Sequence, residues 1–260
     1  MGTDGRPIGS GFMVFVLILL VAGMLASGLW VTGGLNWIFT ALGLLGFMLV
    51  LGLRICGRPV GILINERNLM SLSRFQTVAW TLIVLSAYMT AALFNIAAGV
   101  PDPLVVQIDW RLWALLGIST TSLVGGPLIL STKTIKNPAD AEAVTQKAAS
   151  ELKQPVEEVR ENREGTLYAN PSPADARFSD MFEGEEINNT AYIDMAKVQM
   201  FFFTLVAAVS YVVLLFHMFA TTYPIKIAAF PLLPDGLIAI LGISHAGYLS
   251  SKIVDHTKTS

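Results

Sequence analysis

The sequence predicts an all-α, polytopic membrane protein with six transmembrane helices, the last four forming two parallel-oriented two-helix repeats. Three observations lead to this fold class. Of the 260 residues, 53% are hydrophobic and only 14% are charged, against about 25% charged in a typical soluble domain. Six stretches approach the roughly 20 apolar residues that a membrane helix needs. Parts of the chain also recur at a fixed spacing. This composition excludes a disordered chain, a disulfide scaffold and an ordinary soluble enzyme domain.

The six predicted spans differ little in polarity. Five contain no Asp, Glu, Lys or Arg, and the sixth contains only Asp235, which follows Pro231 and Pro234 near its start. A buried helix of a soluble protein would explain any one stretch, but not six. The first stretch is longer than the apolar core of a signal peptide, so we expect it to be retained. The spans are residues 11–31, 35–53, 77–98, 112–130, 198–220 and 228–249.

Basic residues predict the orientation, because Lys and Arg concentrate in cytoplasmic loops near the ends of spans. With the N-terminus inside, the outer segments carry only Arg111 and Lys226. We therefore expect a multi-pass protein of a bacterial-type inner membrane with both termini cytoplasmic. The inner segments carry Arg6, Arg54, Arg58, Arg67, Arg74, Lys133, Lys136, Lys197, Lys252 and Lys258.

The chain divides into four parts in this prediction. Residues 1–58 form two lead transmembrane helices, and residues 59–131 form the first repeat, an amphipathic segment followed by two spans. Residues 132–186 are an acidic cytoplasmic insert. Residues 187–260 form the second repeat and a short cytoplasmic tail.

The polar insert carries a charge opposite to that of the remaining chain. Between Lys133 and Asp194 lie seven Lys and Arg against thirteen Asp and Glu, a net −6, while the remainder is +4. Asn137 before Pro138 predicts a helix start there. Large apolar residues are few, so the simpler interpretation is a solvated connector that packs against neighbouring subunits or the membrane face. The alternative is a docking segment for a cytoplasmic protein, anchored by Phe178 and Phe182. The acidic sign argues against a nucleic-acid partner.

The repeat appears at an offset of 123 residues, where Arg74 aligns with Lys197 and Gln76 with Gln199. In the next span, Gly-Ile-Ser ending at Ser119 recurs ending at Ser244, at an offset of 125. Each unit has two spans, so both copies have the same orientation, unlike the inverted repeats of many transporters.

Small residues recur every four positions in the second span of each unit, which places them on one helix face. We expect these faces to make spans four and six the innermost helices, paired with each other or across a subunit interface of a homo-oligomer. The positions are Gly117, Thr121 and Gly125 in span four, and Gly242, Ala246 and Ser250 in span six.

Two further sets of polar residues are candidates for a permeation path. Hydroxyl and imidazole groups of spans four and six are candidates to line a pore, and the equivalent starts of spans three and five are candidates for an inner mouth that favours anions. Close packing and positive-inside anchoring are the simpler interpretations. The candidate pore residues are Ser119, Thr120, Ser122, Ser244 and His245, and the candidate mouth residues are Arg74, Gln76, Lys197 and Gln199.

The sequence offers little chemistry for catalysis. Mid-span carboxylates and cations, which mark proton and ion relays, are absent. The three histidines lie at different depths, and the adjacent Ser244 and His245 point in different directions. We therefore predict no enzyme, no metal and no cofactor. The predicted function is an oligomeric passive channel or pore-like subunit with a cytoplasmic regulatory insert. The alternative is a non-catalytic scaffold that recruits a partner through the acidic insert.

Overall fold

A computed structural model describes residues 9–31, 33–134, 138–222, 226–254 and 256. The basic residues Arg6, Lys136 and Lys258 and the predicted helix cap Asn137 lie outside these residues. Eight α-helices and one two-stranded hairpin occur in the described part. They are α1 (Ser10–Trp30), α2 (Gly34–Cys56), α3 (Leu72–Ala97), α4 (Trp110–Ser131), α5 (Pro138–Leu152), α6 (Val156–Glu161), β1 (Arg163–Glu164), β2 (Leu167–Tyr168), α7 (Met195–Thr222) and α8 (Asp235–Ile253).

Five of these helices, α1, α2, α3, α4 and α7, are long and apolar enough to cross a membrane. The chain is therefore predominantly helical, with several apolar helices suited to a multi-pass membrane protein, as the composition predicts. Helix α8 falls outside this group although its 19 residues are long enough, because Asp235, His245 and Lys252 lower its mean hydropathy. It begins seven positions after the predicted start of the sixth span at residue 228. Pro231 and Pro234 account for this shift, since proline disrupts helix interiors.

The polar insert is folded, which the connector interpretation did not anticipate. Its buried core combines Val144 and Ala148 of α5, Val159 of α6 and Tyr168 of β2 with Leu69. Leu69 belongs to a segment before α3, outside the insert. The composition of the insert alone therefore underestimates the size of its hydrophobic core. The antiparallel hairpin of β1 and β2 also amends the all-α class slightly.

The chain separates into two compact units, and α3, α4, α7 and α8 contribute to both. The first unit contains Met1–Ile62, Thr77–Gly117 and Leu205–Ala239. In it, the indole of Trp37 donates a hydrogen bond to Ser86 at 2.8 Å, and Trp80 packs on Tyr211. The second unit contains Leu63–Gln76, Ile118–Thr204 and Ile240–Ser260. It holds the insert together with the N-terminal ends of α3 and α7 and the C-terminal ends of α4 and α8.

Helix α3 is the most buried of the five apolar helices, whereas the sequence placed spans four and six innermost. Half of its apolar window is buried, against 28% for α4. The reason is a face of small residues on α3, among them Ala87, Thr90 and Ala91, which are almost completely buried. Small side chains let neighbouring helices approach closely.

Candidate functional site

The second unit contains two adjacent carboxylates, the half-buried Glu185 and the buried Glu186. They lie in a tight turn between the insert's aromatic residues and α7. Gly184 is required at the start of this turn, since a Cβ atom there would overlap Asn189. The side-chain oxygen of Asn189 accepts from the backbone N–H of Glu186 at 3.0 Å. The turn therefore fixes the direction of both acidic side chains.

Glu185 is paired with three cations from three separate segments. Its carboxylate contacts Arg67, which precedes α3, Lys252 at the end of α8, and Lys197 in the first turn of α7 at 3.1 Å. The Arg67 guanidinium also donates to the carbonyl of Tyr168 at 3.1 Å. Burial alone would raise the pKa of Glu185, but Lys197, Lys252 and Arg67 together hold it well below its usual value. The carboxylate is therefore ionised at neutral pH.

Glu186 engages a fourth cation, Lys133, just after the end of α4. Lys133 also donates to the carbonyl of Val254 at 2.6 Å, and Glu186 accepts from the backbone N–H of His256 at 3.0 Å. The Glu186 side chain is only 2% exposed. We call Glu185 and Glu186 with their four cations the clasp. Its basic members are Arg67, Lys133, Lys197 and Lys252.

Two further carboxylates, Asp180 and Asp194, lie next to the clasp. Asp180 accepts from the backbone N–H groups of Met70 at 3.0 Å and Arg177 at 2.8 Å. Its pKa is raised because burial disfavours the charged form. Asp194 caps α7 by accepting from the backbone N–H of Ala196 at 2.9 Å.

The two predicted docking residues contact the chain itself. The ring of Phe178 lies 5.4 Å from that of Phe182, and Phe182 lies 5.1 Å from Phe201 on α7. Phe201 in turn contacts Phe75 in the first turns of α3. Phe182 is therefore half-buried, whereas Phe178 keeps 58% of its surface exposed.

The structure joins two of the candidate pore residues directly. The hydroxyl of Ser122 on α4 and Nδ1 of His245 on α8 lie 2.6 Å apart. Ser119 and Ser244 are also buried, whereas Thr120 is exposed. A hydroxyl beside an imidazole is the geometry of a nucleophile and its base, but Ser122 is fully buried and His245 nearly so. The pair therefore ties α4 to α8 and is not accessible to a substrate in solution.

The four candidate mouth residues have four different environments. Lys197 belongs to the clasp, whereas its counterpart Arg74 forms a surface ion pair with Glu66 at 2.9 Å. Gln76 is completely buried and donates to the hydroxyl of Thr204 at 2.6 Å, while Gln199 is exposed. The structure does not bring these four residues together into a ring within one chain.

The small-residue faces of α4 and α8 lie mainly on the outside of the chain. Gly117 and Thr121 are exposed, as are Ala246 and Ser250. The half-buried positions make ordinary contacts, since a Cβ on Gly125 would lie 3.4 Å from Leu249 and one on Gly242 would lie 3.8 Å from Ile118. Both helices therefore keep an open face on which a further helix could pack.

Sequence reasoning missed Glu185, Glu186, Lys133, Arg67 and Lys252 as a connected set. The basic residues were assigned to orientation and the glutamates to a general acidic charge. One available signal was the Ile-Asn pair repeated at Ile64–Asn65 and at Ile187–Asn188, which adjoins both glutamates and lies close to Arg67.

No group of three or more His, Cys, Asp and Glu suited to a metal ion occurs among the residues that the structure describes. Comparisons with protein-family models, with curated proteins and with solved structures found no match to this chain.

Proposed function

We propose that this chain is a non-catalytic scaffold of a bacterial-type inner membrane, whose folded polar insert recruits a cytoplasmic protein. The observation that carries the proposal is the clasp, because it binds two adjacent carboxylates of the insert region to cations of four separate segments. A simple connector between two spans needs no such attachment to the helix ends. A scaffold that presents a fixed surface to a partner protein does need one.

The clasp also supports an arrangement of six spans. Lys133 follows α4, Lys197 begins α7 and Lys252 ends α8, and all three contact neighbouring carboxylates. The proximity of these three helix ends supports α8 as the sixth span, because α7 starts and α8 ends at the same place. Arg67 leads into α3 from the same place, as expected for two repeats of the same orientation.

The surface offered to a partner is the acidic face of α6 and the hairpin. Glu158, Glu161 and Glu164 are exposed there, and Glu157 pairs with Arg160 at 2.5 Å. A surface with a net negative charge steers and selects partners of the opposite sign. We infer that the partner is a protein with a basic patch.

A photoreactive residue at Glu161 in cells tests this function. We expect one reproducible adduct, which Glu158→Lys with Glu164→Lys abolishes without changing the amount of protein in the membrane. Asp175→Lys, an exposed charge reversal elsewhere on the insert, is the matched control and should leave the adduct intact. An adduct that persists in the double variant would overturn the proposal. So would intact partner binding and localisation after deletion of residues 137–186.

A second candidate, an oligomeric passive channel, is favoured by the open small-residue faces of α4 and α8. Such faces let helices of neighbouring copies approach closely. We expect Thr121→Leu with Ser250→Leu to weaken an oligomer observed in nanodiscs and to abolish any conductance in planar bilayers. A monomeric chain without conductance would exclude the channel and leave the scaffold standing.

A further inference from the structure

Three exposed apolar side chains lie in adjoining segments where the insert meets the start of α7, since the backbone N–H of Asp194 donates to the carbonyl of Phe182 at 2.7 Å. The side chains of Phe178, Ile193 and Met195 are 58%, 70% and 69% exposed. Phe178 belongs to a short 3-10 turn of the insert, Ile193 to the segment before α7, and Met195 is the first residue of α7. Exposed apolar patches of this kind mark contact with a protein or a membrane.

This surface is continuous with the apolar side of α7. The ring of Phe178 lies 6.4 Å from that of Phe201, and Phe201 lies 5.6 Å from Phe202 in the next position of the helix. Phe202 is itself exposed, and so are Val206 and Val209 farther along α7. In a helix that crosses a bilayer, exposed apolar positions face the acyl chains. The surface formed by Phe178, Ile193 and Met195 therefore extends the lipid-facing side of α7 toward the polar region.

The adjoining polar residues suit a lipid interface. Arg177 and Ser179 flank Phe178 and are exposed. Phe side chains of interfacial segments are buried at the boundary between headgroups and acyl chains. Because the insert region is acidic, attraction to anionic lipid would contribute little. The affinity of this surface for lipid must therefore come from the burial of its apolar side chains.

We propose that Phe178, Ile193 and Met195 form a lipid footing, which rests the insert on the headgroup–acyl boundary of the membrane that α7 crosses. The insert then lies against the bilayer instead of standing clear of it. The occupant of this surface is zwitterionic lipid. A basic partner protein would then bind the acidic face of α6.

Spin labelling tests the footing, because Cys56 is the sole cysteine and Cys56→Ser gives a clean background. Labels are placed by Phe178→Cys and Ile193→Cys in phosphatidylcholine nanodiscs, and collisions with oxygen and with a water-soluble nickel chelate are compared. We expect collisions with oxygen to dominate at both positions and to be insensitive to salt. Two positions are used because one variant could disturb the turn.

Two reference labels separate this proposal from the membrane assignment itself. Val209→Cys, mid-way along α7, should report acyl chains, and Glu157→Cys, on exposed α6, should report water. If Val209 reports lipid while Phe178 and Ile193 report the nickel chelate, the footing is absent although α7 crosses the membrane. If both test positions are shielded from both reagents, protein covers the surface, which also overturns the proposal.

Discussion

At the scale of single residues, Glu185 is the position where one change has the largest expected effect. Glu185→Gln removes the carboxylate that Arg67, Lys197 and Lys252 share, leaving buried cations without their partner. Breaking a buried ion pair in this way costs about 3–5 kcal/mol. We expect a lower unfolding temperature in detergent and earlier proteolytic cleavage within the insert.

Glu66→Gln is the matched control for that change. It removes the same charge from an ion pair with Arg74, but the side chains of Glu66 and Arg74 are 66% and 36% exposed. Exposed pairs contribute about 0–1 kcal/mol, so the unfolding temperature should hardly move. Equal losses in both variants would show that the clasp does not hold the insert.

The pH dependence of the insert's attachment follows from the lowered pKa of Glu185. A carboxyl with a lower pKa in the folded state contributes stability above its unfolded pKa, about 4.3 for Glu, and loses it as pH falls further. Protease protection of the insert should therefore persist from pH 7 to about pH 5 and decline below that. The part of the protease protection that depends on pH should be absent in the Glu185→Gln variant. Loss of protection near pH 6 in the unaltered chain would contradict this assignment.

At the scale of elements, the apolar helices could be predicted from the sequence because each is a long run without charge. Helix α3 is observed at Leu72–Ala97 against a prediction of 77–98. The start of α8 was less predictable, because Pro231 and Pro234 lie just before it and move the start of the helix to Asp235. Asp235 and Lys252 near its two ends also make the helix less apolar. The clasp could not be predicted, because it joins Arg67 to Glu185 across 118 positions. Composition cannot show such pairings.

The contact between α4 and α8 gives a prediction for one element pair. Ser122→Ala leaves the buried ring of His245 without the hydroxyl that lies 2.6 Å from Nδ1. An unpaired buried polar group costs about 1–3 kcal/mol, so we expect a measurable fall in thermal stability in detergent.

Ser131→Ala provides the comparison for that variant. Ser131 ends the same helix, is exposed, and donates only locally to the carbonyl of Leu128 at 2.8 Å. Its replacement should change stability by less than about 0.5 kcal/mol. If Ser122→Ala were as harmless as this control, the bond to His245 would not hold α4 to α8.

At the scale of the whole molecule, the small net charge of −2 conceals two separated sets of charges. The acidic insert region and the basic helix ends attract each other, and the clasp is where four of those basic residues meet two of the acids. Positive residues near helix ends therefore have two roles in this chain. We expect them to bias the orientation in the membrane, and they attach the folded insert to the helix ends.

The orientation gives a prediction that the lone cysteine can test. Cys56 is a free, half-buried thiol at the end of α2, between Arg54 and Arg58. With cytoplasmic termini, an impermeant maleimide should label it in bacterial cells only after the membrane is permeabilised. Lys226→Cys in a Cys56→Ser chain, at an exposed position before α8, should be labelled immediately in intact cells. The reverse pattern would invert the topology and place the clasp, and the surface it presents, outside the cell.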